Sequence, residues 1–175
     1  AVWAANEYTV KFAANGGTGT MADQAFLYDE EQALRANGFA RTGYAFAGWN
    51  GNSGGVAKQF AEGEIVSNLT SEADGVVTMS AVWTANPYTV RFDANGGEGT
   101  MGDLNCTYGT GKALTACAFT RTGYAFAGWA KSAAGTVMYA DRASVTDVAA
   151  SGTVMLYAKW TAISYSVKFN ANSGS

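Results

Sequence analysis

The nine residues RTGYAFAGW occur at 41–49 and again, without a change, at 121–129. A repeat of that length inside 175 residues points to duplication, and internal similarity overrides chain length as a guide to domain number. Sliding the sequence on itself extends the match: YTVKFAANGGTGTM at 8–21 lies over YTVRFDANGGEGTM at 88–101, differing at Lys11/Arg91, Ala13/Asp93 and Thr18/Glu98. Beyond the identical stretch, QFAEGEIVSNL lies over MYADRASVTDV, and VTMSAVWTA over VMLYAKWTA. The chain therefore reads as two copies of one unit, residues 7–84 and 85–161, each large enough to fold singly. AVWAAN at 1–6 copies AVWTAN at 81–86 and reads as the last strand of a preceding unit. YSVKFNANSGS makes residues 162–175 the first strand of a following one, so the segment reads as part of a tandem array.

Within a unit the local signals are mostly extended. Tyr8, Val10 and Phe12 alternate with Thr9 and Lys11, as Tyr88, Val90 and Phe92 do with Thr89 and Arg91, which predicts a strand with one buried face. NGG at 15–17 and 95–97 supplies the positive φ angles of a reversing turn, and QAFLY at 24–28 reads as the returning strand. DEEQALRANG at 29–38 combines an Asp cap, a Gln three residues on, early acids and a closing Gly, and predicts a short helix. GYAFAGW predicts a strand interrupted at Gly48 or Gly128 by a bulge or close backbone contact. The final strand sets Val77, Met79, Ala81 and Trp83 on one face, matched by Val154, Leu156, Ala158 and Trp160. Apolar positions persist between copies while the opposite face drifts, so the shared aromatics Tyr44, Phe46 and Trp49, with Tyr124, Phe126 and Trp129, are expected in two equivalent cores.

The composition removes several functions. Without histidine, no Ser-His-Asp or Cys-His nucleophile system can be assembled, and the commonest transition-metal ligand is missing. No catalytic, cofactor-binding or metal-binding residues are assigned, and no enzyme activity is expected. Glu62 matches Asp141 and Asp23 matches Asp103 between copies, but acids at such turns read as capping residues. GGTGTM and GGEGTM lack the Lys-Ser/Thr ending of a phosphate loop, and Asp29, Glu30 and Glu31 lack the spacing of a calcium loop. A net charge of −3 offers no footprint for nucleic acid, and no apolar run approaches the roughly 20 residues of a membrane span.

The order of YTVKF, ANGG, RTGYxFxGW, YAD and LYAxW across both copies resembles the internalin-type B-repeat, or Listeria–Bacteroides repeat, from Tyr8 to Thr84 and from Tyr88 to Thr161. The resemblance implies an α+β, strand-dominated fold of tandem β-grasp-like, ubiquitin-related small domains. It also implies a secreted or cell-wall-attached bacterial surface protein with no catalytic apparatus, serving as stalk or adhesive surface toward a host protein or glycan. The array is expected to be monomeric. NGNSGG at 50–55, the cysteine pair and DEEQALRAN depart from the family pattern.

Only Thr84, Ala85, Asn86 and Pro87 lie between Trp83 and Tyr88, and so short a joint, stiffened by Pro87, limits reorientation of neighbours. Cys106 and Cys117 stand where the first copy has Phe26 and Asn37. In an extracellular setting they are expected to close a disulfide worth about 3 kcal/mol, with two separate buried thiols as the other reading. For a glycan-binding role, Tyr157 and Tyr165 are the candidate stacking residues, and loops 50–58 and 130–137 the variable surface.

Overall fold

The computed structural model describes residues 2–170. The first unit contains β1 (Glu7–Ala13), β2 (Gln24–Leu27), β3 (Gln32–Ala33), β4 (Tyr44–Ser53), β5 (Val56–Phe60), β6 (Ile65–Val66) and β7 (Gly75–Ala85). The second contains β8 (Pro87–Asp93), β9 (Leu104–Thr107), β10 (Lys112–Ala113), β11 (Tyr124–Ala130), β12 (Ser144–Val145) and β13 (Gly152–Ala162). The two compact units divide between Asn86 and Pro87, two residues beyond the expected boundary at 84/85.

In the first unit the main sheet runs β2-β1-β7-β4-β5. β1 and β7 pair in parallel at its centre, from Tyr8↔Gly75 to Ala13↔Ser80, and the other pairings are antiparallel. The second unit repeats this as β11-β13-β8-β9, with β8 and β13 parallel. A small ladder, β3-β6 or β10-β12, carries the crossover segment.

The alternation seen in the sequence places Tyr8, Val10, Val77, Met79 and Ala81 on the buried face. Leu34, Phe39, Val66 and Leu69, from the crossover and the segments around β6, cover that face. Trp49 is fully buried at the centre, ringed by Phe12 at 4.9 Å, Phe46 at 4.8 Å and Phe39 at 6.1 Å. Trp129 has the same three neighbours in Phe92, Phe126 and Phe119 at 4.8, 4.8 and 6.2 Å. Each unit therefore closes on its own aromatic core.

Two expectations are corrected. Among the described residues there is no helix, so the α component of the expected fold class is absent and the units are strand-built. Residues 29–38 instead carry β3, held by β6 through Gln32↔Val66 and Ala33↔Ile65. The supposed cap Asp29 has φ of 62° and exchanges hydrogen bonds with Asn68: its N–H donates to Oδ1 at 2.6 Å and its Oδ1 accepts from Nδ2 at 2.9 Å. The buried Gln24 amide then clips the segment to the sheet, donating to Ala33 O at 2.8 Å and accepting from Arg35 N–H at 3.0 Å. These long-range bonds take up the backbone groups that a helix would pair internally.

Neither 2–6 nor 163–170 forms a strand, and residues 1 and 171–175 of those two expected strands lie outside the described residues. Tyr165, Val167 and Phe169 are 87%, 62% and 93% exposed, whereas Tyr8 and Val10 at equivalent positions are buried between β2 and β7. A strand of this type is buried by ladder partners on both sides.

Candidate functional site

The acids compared between copies serve the fold. Glu62 accepts the Asn37 N–H at 2.8 Å, and Asp141 accepts the Cys117 N–H at 2.9 Å, so both tie the crossover loop to the turn after β5 or its counterpart. Asp23 and Asp103 make exposed ion pairs with Lys11 at 3.8 Å and Arg91 at 3.1 Å. Glu64 receives the Ala61 N–H and the Lys58 ammonium, and these hold its carboxyl below the usual range. Among the described residues no three His, Cys, Asp or Glu side chains gather where they would hold a metal ion.

The expected disulfide is not formed: Cys106 and Cys117 are free thiols. Cys106 fills part of the core slot of Phe26, pairing with Tyr88 across the ladder, and its Sγ lies 3.8 Å from Leu104 O. Cys117 takes over the local bond of Asn37, whose amide donates to Phe39 O at 2.9 Å; the Cys117 thiol lies 3.8 Å from Phe119 O. Each sulfur is thus held by a carbonyl two residues away. Burial, reinforced by the Asp141 charge, pushes the Cys117 thiol above its ordinary pKa.

The two tyrosines singled out as ligand contacts are not brought onto one strand face. Tyr157 stands half-buried on the face of β13 turned from the core, opposite Asp93 in β8 and Ala130 in β11. Tyr165 is exposed beyond the end of β13.

Sequence reasoning missed a different feature, present twice. In each unit the RTGY segment closes a turn, with Tyr44 N–H donating to Arg41 O at 3.1 Å and Tyr124 N–H to Arg121 O at 3.0 Å. The Arg41 guanidinium lies 4.0 Å over the Tyr44 ring, and Arg121 lies 4.0 Å over Tyr124. A turn glycine lies beside each guanidinium: a Cβ at Gly16 would stand 3.4 Å from Arg41 Cζ, and one at Gly96 would stand 3.7 Å from Arg121 Cζ. Those glycines belong to turns whose two central residues have positive φ, Asn15 at 46° and Gly16 at 84°, Asn95 at 47° and Gly96 at 85°. The turns are themselves tied down, because Trp83 and Trp160 donate from Nε1 to Ala14 O and Ala94 O at 2.9 Å. Asn15 and Asn95 donate from Nδ2 to Ala81 O at 2.8 Å and Ala158 O at 2.9 Å. The available signal was the identity of RTGY itself, which includes an arginine that a core does not require.

Two strand-dominated units with separate aromatic cores and the same fastenings define a tandem β-repeat. The chain belongs to the Listeria–Bacteroides repeat domain family, whose sequence model matches residues 8–72 and 88–159. It is a repeat segment of a bacterial surface-type protein. It is 30% identical over 178 residues to a protein of Evansella cellulosilytica named "Putative membrane protein", a match covering 100% of the chain and 24% of the relative. A second protein of that organism, "Putative Gly-rich membrane protein", is 31% identical over 141 residues, covering 78% of the chain and 16% of the relative. The chain thus spans less than a quarter of either relative's length. No helix among the described residues is long and apolar enough to cross a membrane.

Proposed function

We propose that the chain is a non-catalytic structural segment of a secreted or wall-attached protein, a pair of small domains that extends other parts of that protein from the cell surface. The carrying observation is that core and fastenings recur residue for residue: Trp49 and Trp129 ringed by three phenylalanines, Trp83 and Trp160 bonded to the opening turn, and Gly48 and Gly128 at the same bulge. Selection that keeps a scaffold while the outward faces drift is what a spacer needs. The names of the two relatives agree with a place at the membrane or beyond it. The mixed strand order, with first and last long strands parallel at the centre, supports a β-grasp-like sheet without its helix.

A second reading, adhesion through a glycan, draws on Tyr157, half-buried on the sheet face turned from the core, where the first unit has Ser80. Small-angle scattering on arrays of one, two and four units tests the first reading: maximum dimension should grow by a constant increment per unit. A dimension that saturates would contradict a spacer. Glycan-array binding lost on Tyr157→Ala would support adhesion in its place.

A further inference from the structure

The paired arginines are explained only in part by the fold. A residue needed merely to cover the tyrosine ring and the glycine turn would serve through its carbon stem, yet both units place a guanidinium there. The guanidinium stacks on the ring at 4.0 Å beside the turn glycine, and stacking leaves its N–H donors unused. Among the described residues neither Arg41 nor Arg121 has a carboxylate partner, and neither side chain has a hydrogen-bond acceptor. The other cations of the folded units differ. Lys11, Lys58, Arg91 and Arg142 face carboxylates, and Lys112, Lys131 and Lys159 donate to backbone carbonyls. Arg35 and Lys168 are exposed with no ring or turn holding them.

We propose that Arg41 and Arg121 are anion-contact residues, one per unit, and that their ligand is an acidic polysaccharide carrying carboxylates at intervals along its chain. The guanidinium fork matches the two oxygens of a carboxylate, and clamping it removes the rotamer freedom that binding would otherwise cost. One fork per unit, without neighbouring lysines, is too sparse for a densely charged nucleic acid. A polymer repeating the same anion suits a protein repeating the same fork, with affinity arising from simultaneous engagement. The two sites are unequal. Near the second turn stands Asp93, whose Oδ1 accepts the Asn95 N–H at 2.7 Å, and the first unit has Ala13 there. The Asp93 charge opposes an incoming carboxylate, so Arg41 carries the larger share. This inference requires neither the spacer role nor Tyr157.

The test is retention of the intact chain on immobilised polygalacturonate, with neutral dextran and poly-glutamate as comparison matrices. Retention on polygalacturonate alone, weakened by salt, is expected. Arg41→Gln should lower the affinity about tenfold, Arg121→Gln less, and the double variant about a hundredfold or more. Thermal melts of each variant show whether the units remain folded. Arg41→Lys keeps the charge without the fork and should recover only part of the loss. Equal binding by the folded double variant, equal retention on dextran, or retention on poly-glutamate in preference to polygalacturonate would each overturn the proposal.

Discussion

Gly48 and Gly128 decide which way two aromatic side chains point. Along a regular strand Phe46 and Trp49, three residues apart, would face opposite sides of the sheet. The register slips between Phe46↔Trp83 and Gly48↔Val82, and this extra residue turns Trp49 onto the face of Phe46, 4.8 Å away. Only glycine fits the slip. Gly48 has φ of 125°, and a Cβ there would stand 2.5 Å from Phe60 O; the corresponding values at Gly128 are 138° and 2.6 Å from Tyr139 O. Gly48→Ala should therefore cost about 2–4 kcal/mol, adding backbone strain to steric overlap. Gly54→Ala, at φ of 56° with nothing within 4 Å, should cost about 1 kcal/mol. Urea denaturation of the two variants checks the difference; equal midpoints would mean that the bulge tolerates a side chain. The bulge was legible in the sequence, because a glycine inside an alternating run has few other uses. The stacked Arg41 was not, since its ring and its glycine come from positions brought together only by the turn.

At the scale of elements, periodicity predicted the long strands well and failed where a segment's partners are distant. The acid-rich stretch before Leu34 has the local marks of a helix, but Gln24, Asn68 and β6 outbid it with bonds from 9 to 39 residues away. NGNSGG read as a loop because its Gly and Asn residues look unlike a strand. In the fold β4 runs through it to Ser53, and Gly54 and Gly55, with φ of 56° and 82°, make the two-residue turn into β5. A Cβ at Gly51 would lie 2.5 Å from Met79 Sδ, so a side chain there would require Met79 to shift. The second unit omits this hairpin and keeps only its base, the Trp129↔Tyr139 bridge that parallels Trp49↔Phe60. Replacing residues 50–59 by residues 130–138 should therefore leave the first core closed, with stability changed by at most about 2 kcal/mol and unfolding still cooperative. A gradual melt of that chimera would show that the hairpin belongs to the core rather than standing outside it.

For the whole molecule the question is whether repetition means independence. Each unit holds its own Trp, its own three phenylalanines and its own parallel central pair, and each closes its last strand locally: Asn86 N–H donates to Gly43 O and Ile163 N–H to Gly123 O, both at 2.9 Å. No side chain of one core cluster is needed to complete the other. Fragments 1–86 and 87–175 should each unfold cooperatively on their own, with stabilities in the range of about 4–12 kcal/mol expected for domains of this size. Their denaturant slopes should match the slopes within the intact chain, because m follows the surface exposed by one unit and not by two. A single transition of doubled slope in the intact chain, or a fragment that fails to unfold cooperatively, would mean that the units fold as one body. Independence also bears on ligand binding: if each unit folds alone, each carries its clamped arginine intact, and a fragment should keep the weak affinity of one site while losing the gain from two.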